Sequence, residues 1–169
     1  DLTLNGAATV YVPDGGHSRL RGVLSGSSDL TKTGAGQFTL DNSSNESNFS
    51  GGIEVQEGTL TVYNGVGSLP TGQDATLTFA EGTTFRISVP GEITNDLVLD
   101  GNVTLYVEAD SVLSGIISGS GGFTRDGFDD RDLTLSGINT FTGNVTIARS
   151  DLFLEGGSAI DDQVAIQVD

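Results

Sequence analysis

The sequence contains no cysteine. That removes disulfide bridges, thiol catalysis and cysteine-ligated metal sites from consideration. Positive charge is also scarce, with 7 Lys and Arg against 23 Asp and Glu, for a formal net charge of −16. Lys32 is the only lysine. Nucleic-acid backbones and anionic lipid surfaces are held by clustered basic side chains, so neither is an expected partner. No run of 18 apolar residues occurs, so no transmembrane helix and no direct membrane insertion are expected. The chain starts at Asp1 without a basic segment leading into an apolar one, so any export signal is expected to lie outside this segment or to have been removed. Catalytic signatures are missing too. There is no Gly-x-Ser-x-Gly elbow, no Gly-Asp-Ser-Gly, no phosphate loop and no dinucleotide fingerprint.

Glycine is plentiful at 25 residues while proline occurs 3 times. That balance suits many tight turns between short strands. Apolar and polar residues alternate with a period of two in Ile53-Glu-Val55, Leu60-Thr-Val62, Ala75 to Phe79, Phe85 to Val89, Val103-Thr-Leu105 and Val145-Thr-Ile147. Alternation places one set of side chains on each face of a strand. No segment has the 3.6-residue period of a helix. Gly, Asn, Asp and Ser fill the gaps, as turns require.

The chain also aligns with itself. Leu2-Thr-Leu-Asn-Gly6 matches Leu97-Val-Leu-Asp-Gly101, 95 residues later (101 − 6). Gly22 to Gly26 matches Gly115 to Gly119, and Leu30 to Gly34 matches Phe123 to Gly127, both at 93 (119 − 26; 127 − 34). Phe49-Ser-Gly51 matches Phe141-Thr-Gly143 at 92 (143 − 51). Two related units follow, about 1–95 and 96–169, with the second cut short, within one continuous segment over 1–169. Many short strands and a long drifting repeat predict an all-β parallel solenoid, because loop insertions leave a stack of coils intact. At roughly 20–25 residues per coil, each unit spans about four coils and the chain about seven or eight.

Leu24-Ser-Gly-Ser-Ser-Asp-Leu-Thr-Lys-Thr-Gly-Ala-Gly-Gln-Phe-Thr-Leu40, followed by Phe49-Ser-Gly-Gly-Ile-Glu-Val-Gln-Glu-Gly-Thr-Leu-Thr-Val62, resembles the autotransporter-associated β-strand repeat of bacterial surface adhesins. The second copy, Ile117 to Leu154, is similar, but Arg125 stands where the first has Lys32, and Phe128-Asp-Asp-Arg-Asp132 interrupts the Gly-x-Gly turn. The resemblance implies a right-handed parallel β-helix, carried to the cell surface by an outer-membrane barrel outside this segment. It also implies adhesion to a host or bacterial receptor, self-association or service as a stalk, without enzymatic activity. A second reading is a filament subunit joined end to end by strand pairing. A third is a polysaccharide-active β-helix enzyme.

Few side chains suggest chemistry. His17, the only histidine, sits in a turn-like segment where a general base or ligand is one reading and an exposed loop residue the other. Asp126, Asp129, Asp130 and Asp132 fall within seven residues, a density of hard oxygen ligands that suits calcium. Their spacing departs from the EF-hand loop, Arg125 and Arg131 lie among them, and a solvated loop is the simpler reading. No catalytic residue and no cofactor are expected. The polar tract Asp41–Asn48 reads as a projecting loop, with Asn42, Asn45, Glu46 and Asn48 as contact candidates. Phe38, Phe49, Phe79, Phe85, Phe123, Phe141 and Phe153 read as stacked core residues rather than a sugar platform.

Overall fold

The computed structural model describes residues 1–42, 47–71, 75–156, 159–161 and 163–169. Strands of two to five residues follow one another around a common axis, and every strand pairing is parallel. Each strand pairs with the one a coil away rather than with its neighbour in sequence, which is what a β-solenoid requires. The only helical element among the described residues is a single 3₁₀ turn, Val66–Ser68.

The coil has three faces. One is an eight-stranded sheet running His17–Arg21, Gln37–Asp41, Thr59–Tyr63, Thr84–Ser88, Val103–Val107, Phe123–Gly127, Val145–Ile147 and Ile166–Val168. Eight rungs make seven turns, as the sequence predicts. The second face has six strands, Ala8–Tyr11, Leu30–Thr33, Ile53–Val55, Leu77–Phe79, Leu97–Leu99 and Ile117–Ser118. The third is divided into a three-stranded sheet ending at Asn48–Phe49 and a four-stranded sheet starting at Gly91–Ile93. Between them Thr71 N–H still donates to the Phe49 carbonyl at 2.8 Å. The division falls in the longest coil: Thr84 lies over Thr59, 25 residues on (84 − 59), whereas Gln37 lies over His17 at 20 (37 − 17).

Inward positions stack in columns. On the six-stranded face Leu30, Ile53, Leu77, Leu97 and Ile117 form one column. On the eight-stranded face Phe38, Leu60, Phe85 and Leu105 form another. All nine are buried, and each stabilises the stack by roughly 1.5–3 kcal/mol. Six of the seven predicted core phenylalanines are buried. Phe153 is the exception, 47 % exposed. It stands opposite Thr134, in the outward phase of its strand; Leu154, opposite Leu135, is equally exposed in this last strand of its sheet.

The self-matching segments occupy different faces. Leu2–Leu4 lies on the third face but its match Leu97–Leu99 on the six-stranded one. Leu30–Thr33 lies on the six-stranded face but Phe123–Gly127 on the eight-stranded one. Leu24–Gly26, within the segment Gly22 to Gly26, lies on the third face and Ile117–Ser118 of its match on the six-stranded one. The repeat therefore spans about four and one third turns rather than four, and its second copy is advanced by one face.

Candidate functional site

Two buried cations occupy inward positions. In Leu30–Thr33 the alternation aims Leu30 and Lys32 at the core, and Lys32 is stacked between Val10 and Val55. Lys32 has no exposed surface. Its Nζ donates to the carbonyls of Glu57 at 2.7 Å, Thr33 at 3.4 Å and Gly34. The ammonium thus closes the turn after its own strand and ties it to the turn one coil later. Gly34 is needed there: its φ is +77°, and a Cβ would lie 2.3 Å from the Val12 carbonyl oxygen. Burial pulls the Lys32 ammonium below its ordinary value, and nearby Glu57 opposes that.

Arg125 is the equivalent residue of the second copy. It too is fully buried, stacked between Leu105 and Ile147. Its two terminal nitrogens donate to the carbonyls of Asp126 and Arg131. Here the turn is longer, through Phe128 to Arg131, closed by Arg131 N–H to the Phe128 carbonyl at 3.2 Å. A forked guanidinium spans that wider turn where an ammonium suffices for the tight one. Burial lowers the Arg125 pKa, and Asp126, Asp132 and Asp151 oppose it. The clue in the sequence is phase: both cations stand where alternation demands an apolar side chain.

The outward side of the eight-stranded face carries the densest polar arrangement. Its middle row runs Arg19, Thr39, Thr61, Arg86, Tyr106 and Asp126. Thr39 and Thr61 are short and buried, so they form the floor of a depression of about 190 Å³ between Arg19 and Arg86. Tyr63 and Glu108 stand at its sides. Arg19 pairs with Asp41 at 2.6 Å and lies 4.4 Å from the Tyr63 ring centre. Arg86 pairs with Glu108 at 2.6 Å and lies 5.6 Å from the Tyr106 ring centre. Tyr63 and Ser88 also line a neighbouring hollow of about 360 Å³, whose far side is Val66, Val89 and Pro90. The 3₁₀ turn of the long coil supplies Val66, and the segment after Thr84–Ser88 supplies Val89 and Pro90.

Burial opposes ionisation of Glu108, but hydrogen bonds from Arg86 and Ser88 and the Arg86 charge outweigh it and hold the carboxyl below its ordinary value. A group depressed on folding contributes stability above its unfolded pKa and loses it as pH falls through the folded one. Acid titration of Glu108→Gln is therefore expected to show a shallower loss of stability below about pH 4.5 than the parent chain. Parallel acid-unfolding curves for the two proteins would contradict this.

Residues 30–62 and 132–149 match the passenger-associated-transport-repeat family. Over those 51 residues (33 + 18) of 169 the chain is similar to the passenger repeat of autotransporters. No curated protein and no solved structure matches it significantly. The first matched stretch contains Lys32 and its turn, so the buried ammonium lies inside a passenger repeat. The second begins just after Arg131, whose carbonyl Arg125 holds, and covers the strand Leu133–Leu135 and the strand Val145–Ile147.

The fold does not gather the acidic candidates into one site. Among the described residues no group of three or more His, Asp or Glu could hold a metal. Asp126 and Asp129 face Arg149 at 3.3 and 4.0 Å, and Asp130 faces Arg131 at 3.2 Å. His17 is exposed but opens a strand opposite Gln37 rather than sitting in a loop. Of the contact-loop candidates, Asn45 and Glu46 lie outside the described residues. Asn42 is buried, so its side chain is not presented outward, whereas Asn48 is exposed. Sequence reasoning missed Arg19, Thr61, Tyr63, Arg86 and Glu108 as a group, since the register alone brings them together.

Proposed function

We propose that this chain is a non-enzymatic extracellular rod segment of an autotransporter-like surface protein, acting in adhesion, in self-association or as a stalk. The passenger-repeat match supports a location at the surface or in the secreted fraction, and anchoring through an outer-membrane barrel elsewhere in the protein belongs to the same proposal. The observation that carries the reading is the unbroken eight-rung sheet, polar outside and apolar inside but for Arg125, with the matched passenger repeat in it. Each coil touches only its neighbours, so such a stack extends without a change of architecture. The outward carboxylates Asp41, Glu108 and Asp126 pair with arginines of neighbouring rungs, an arrangement that holds a surface together.

Beads coated with the purified chain are expected to be retained on cells or to clump with one another, and bare beads are not. Equal behaviour of coated and bare beads would leave only the stalk. Light scattering is expected to give a uniform particle. Long fibres would favour end-to-end filament assembly, and release of sugar ends from polysaccharide would end the non-enzymatic reading.

A further inference from the structure

We propose that the depression between Arg19 and Arg86 binds a carboxylate-bearing saccharide unit. The inference rests on the adhesive reading above and gives it a ligand class. Four observations carry it. First, the site has unused donors. Thr61 Oγ1 and Arg86 Nε are buried and have no hydrogen-bond partner among the described residues. Thr61 is only 2 % exposed, and buried polar groups are normally satisfied. Second, Arg86 reaches Glu108 through one terminal nitrogen, which leaves Nε as a single charged N–H for an anionic oxygen.

Third, the local charge differs from that of the whole chain. Arg19, Arg21 and Arg86, three of the seven basic residues, gather around this depression with Asp41 and Glu108, while Asp126 further along the face pairs with Arg149. A chain of net charge −16 repels a polyanion, but this island accepts one negative charge. Fourth, the shape and lining suit a hydroxyl-rich ring. Arg19 and Arg86 are three rungs apart, roughly 14 Å at the spacing of parallel strands. The floor is two threonines, and exposed Tyr63 presents an aromatic surface to sugar C–H groups. The adjoining hollow beside Val66 and Val89 gives room for an apolar substituent.

A peptide is the less fitting occupant. Gln37–Asp41, Thr59–Tyr63 and Thr84–Ser88 are each paired on both sides, so no strand edge is free in this part of the face for peptide addition.

The test is a calorimetric titration of the 169-residue chain with trigalacturonic acid, its methyl ester, sialyllactose and hexaglutamate. At least one acidic sugar is expected to bind, with trigalacturonic acid about tenfold tighter than its ester if it is the one. Arg86→Gln is expected to weaken binding about tenfold. Thr61→Val, which replaces an unpartnered hydroxyl by a methyl, is expected to weaken binding without lowering the melting temperature. Silence of both acidic sugars, equal binding of acid and ester, or equal binding of hexaglutamate would overturn the proposal. Silence with persistent bead adhesion sinks this site and spares the adhesive reading; binding without adhesion does the reverse.

Discussion

Replacing Lys32 by methionine is expected to destabilise the chain by about 2–4 kcal/mol, read from the urea midpoint at unchanged slope. Methionine keeps the volume and the inward direction, so the packing between Val10 and Val55 survives. What it removes is the donor. The Gly34 and Glu57 carbonyls lose the ammonium they both accept from, and a buried carbonyl without a partner costs about 1–3 kcal/mol. Relief of the cost of burying a charge works the other way. The carbonyls remain, however, so the change resembles removing one partner of a buried pair rather than replacing both. Arg125→Lys is expected to cost stability as well, because one ammonium must serve the Asp126 and Arg131 carbonyls that two guanidinium nitrogens reach. A Lys32→Met chain as stable as the parent would show that the buried cation does not hold the turn.

Gly121→Ala is expected to cost about 3 kcal/mol or more, at the upper end of overpacking effects. A Cβ on Gly121 would lie 2.0 Å from the Gly101 carbonyl oxygen and 2.5 Å from its carbon. Both are backbone of the coil beneath, so neither can swing aside. The coils must separate locally, which strains the paired rungs Val103–Val107 and Phe123–Gly127 that follow the Gly101 and Gly121 turns. Gly6→Ala is the control, since nothing lies within 4 Å of its Cβ position. Hydrogen exchange should show loosened amides in those two rungs for Gly121→Ala alone. Equal melting curves for the two variants would mean that the corner has slack.

The stack itself was legible in the sequence because alternation fixes what faces inward: Ile53, Val55, Phe85 and Ile87 all lie where period two puts them. The self-match revealed the repeat but not its direction. Similarity follows the strand-and-turn pattern, and a three-faced coil offers that pattern three times per turn, so Leu30 and Phe123 match in sequence while lying on different faces. Lys32 and Arg125 look like surface residues by type and are core residues by phase. Asn42 looks like a loop residue by neighbourhood and is buried. The depression was out of reach, because Arg19, Thr61, Arg86 and Glu108 come from four separate coils and meet only through the rung register.

That advance by one face has a geometric consequence. Equivalent side chains of successive copies point about 120° apart around the axis, so a motif carried by every copy winds along the rod like the thread of a screw. An array continued on this period would return to its starting azimuth after about thirteen turns, roughly 60 Å along the axis. A flat partner lying against one side would meet a given motif on every third copy, while a crowded surface around the rod would meet it from all sides.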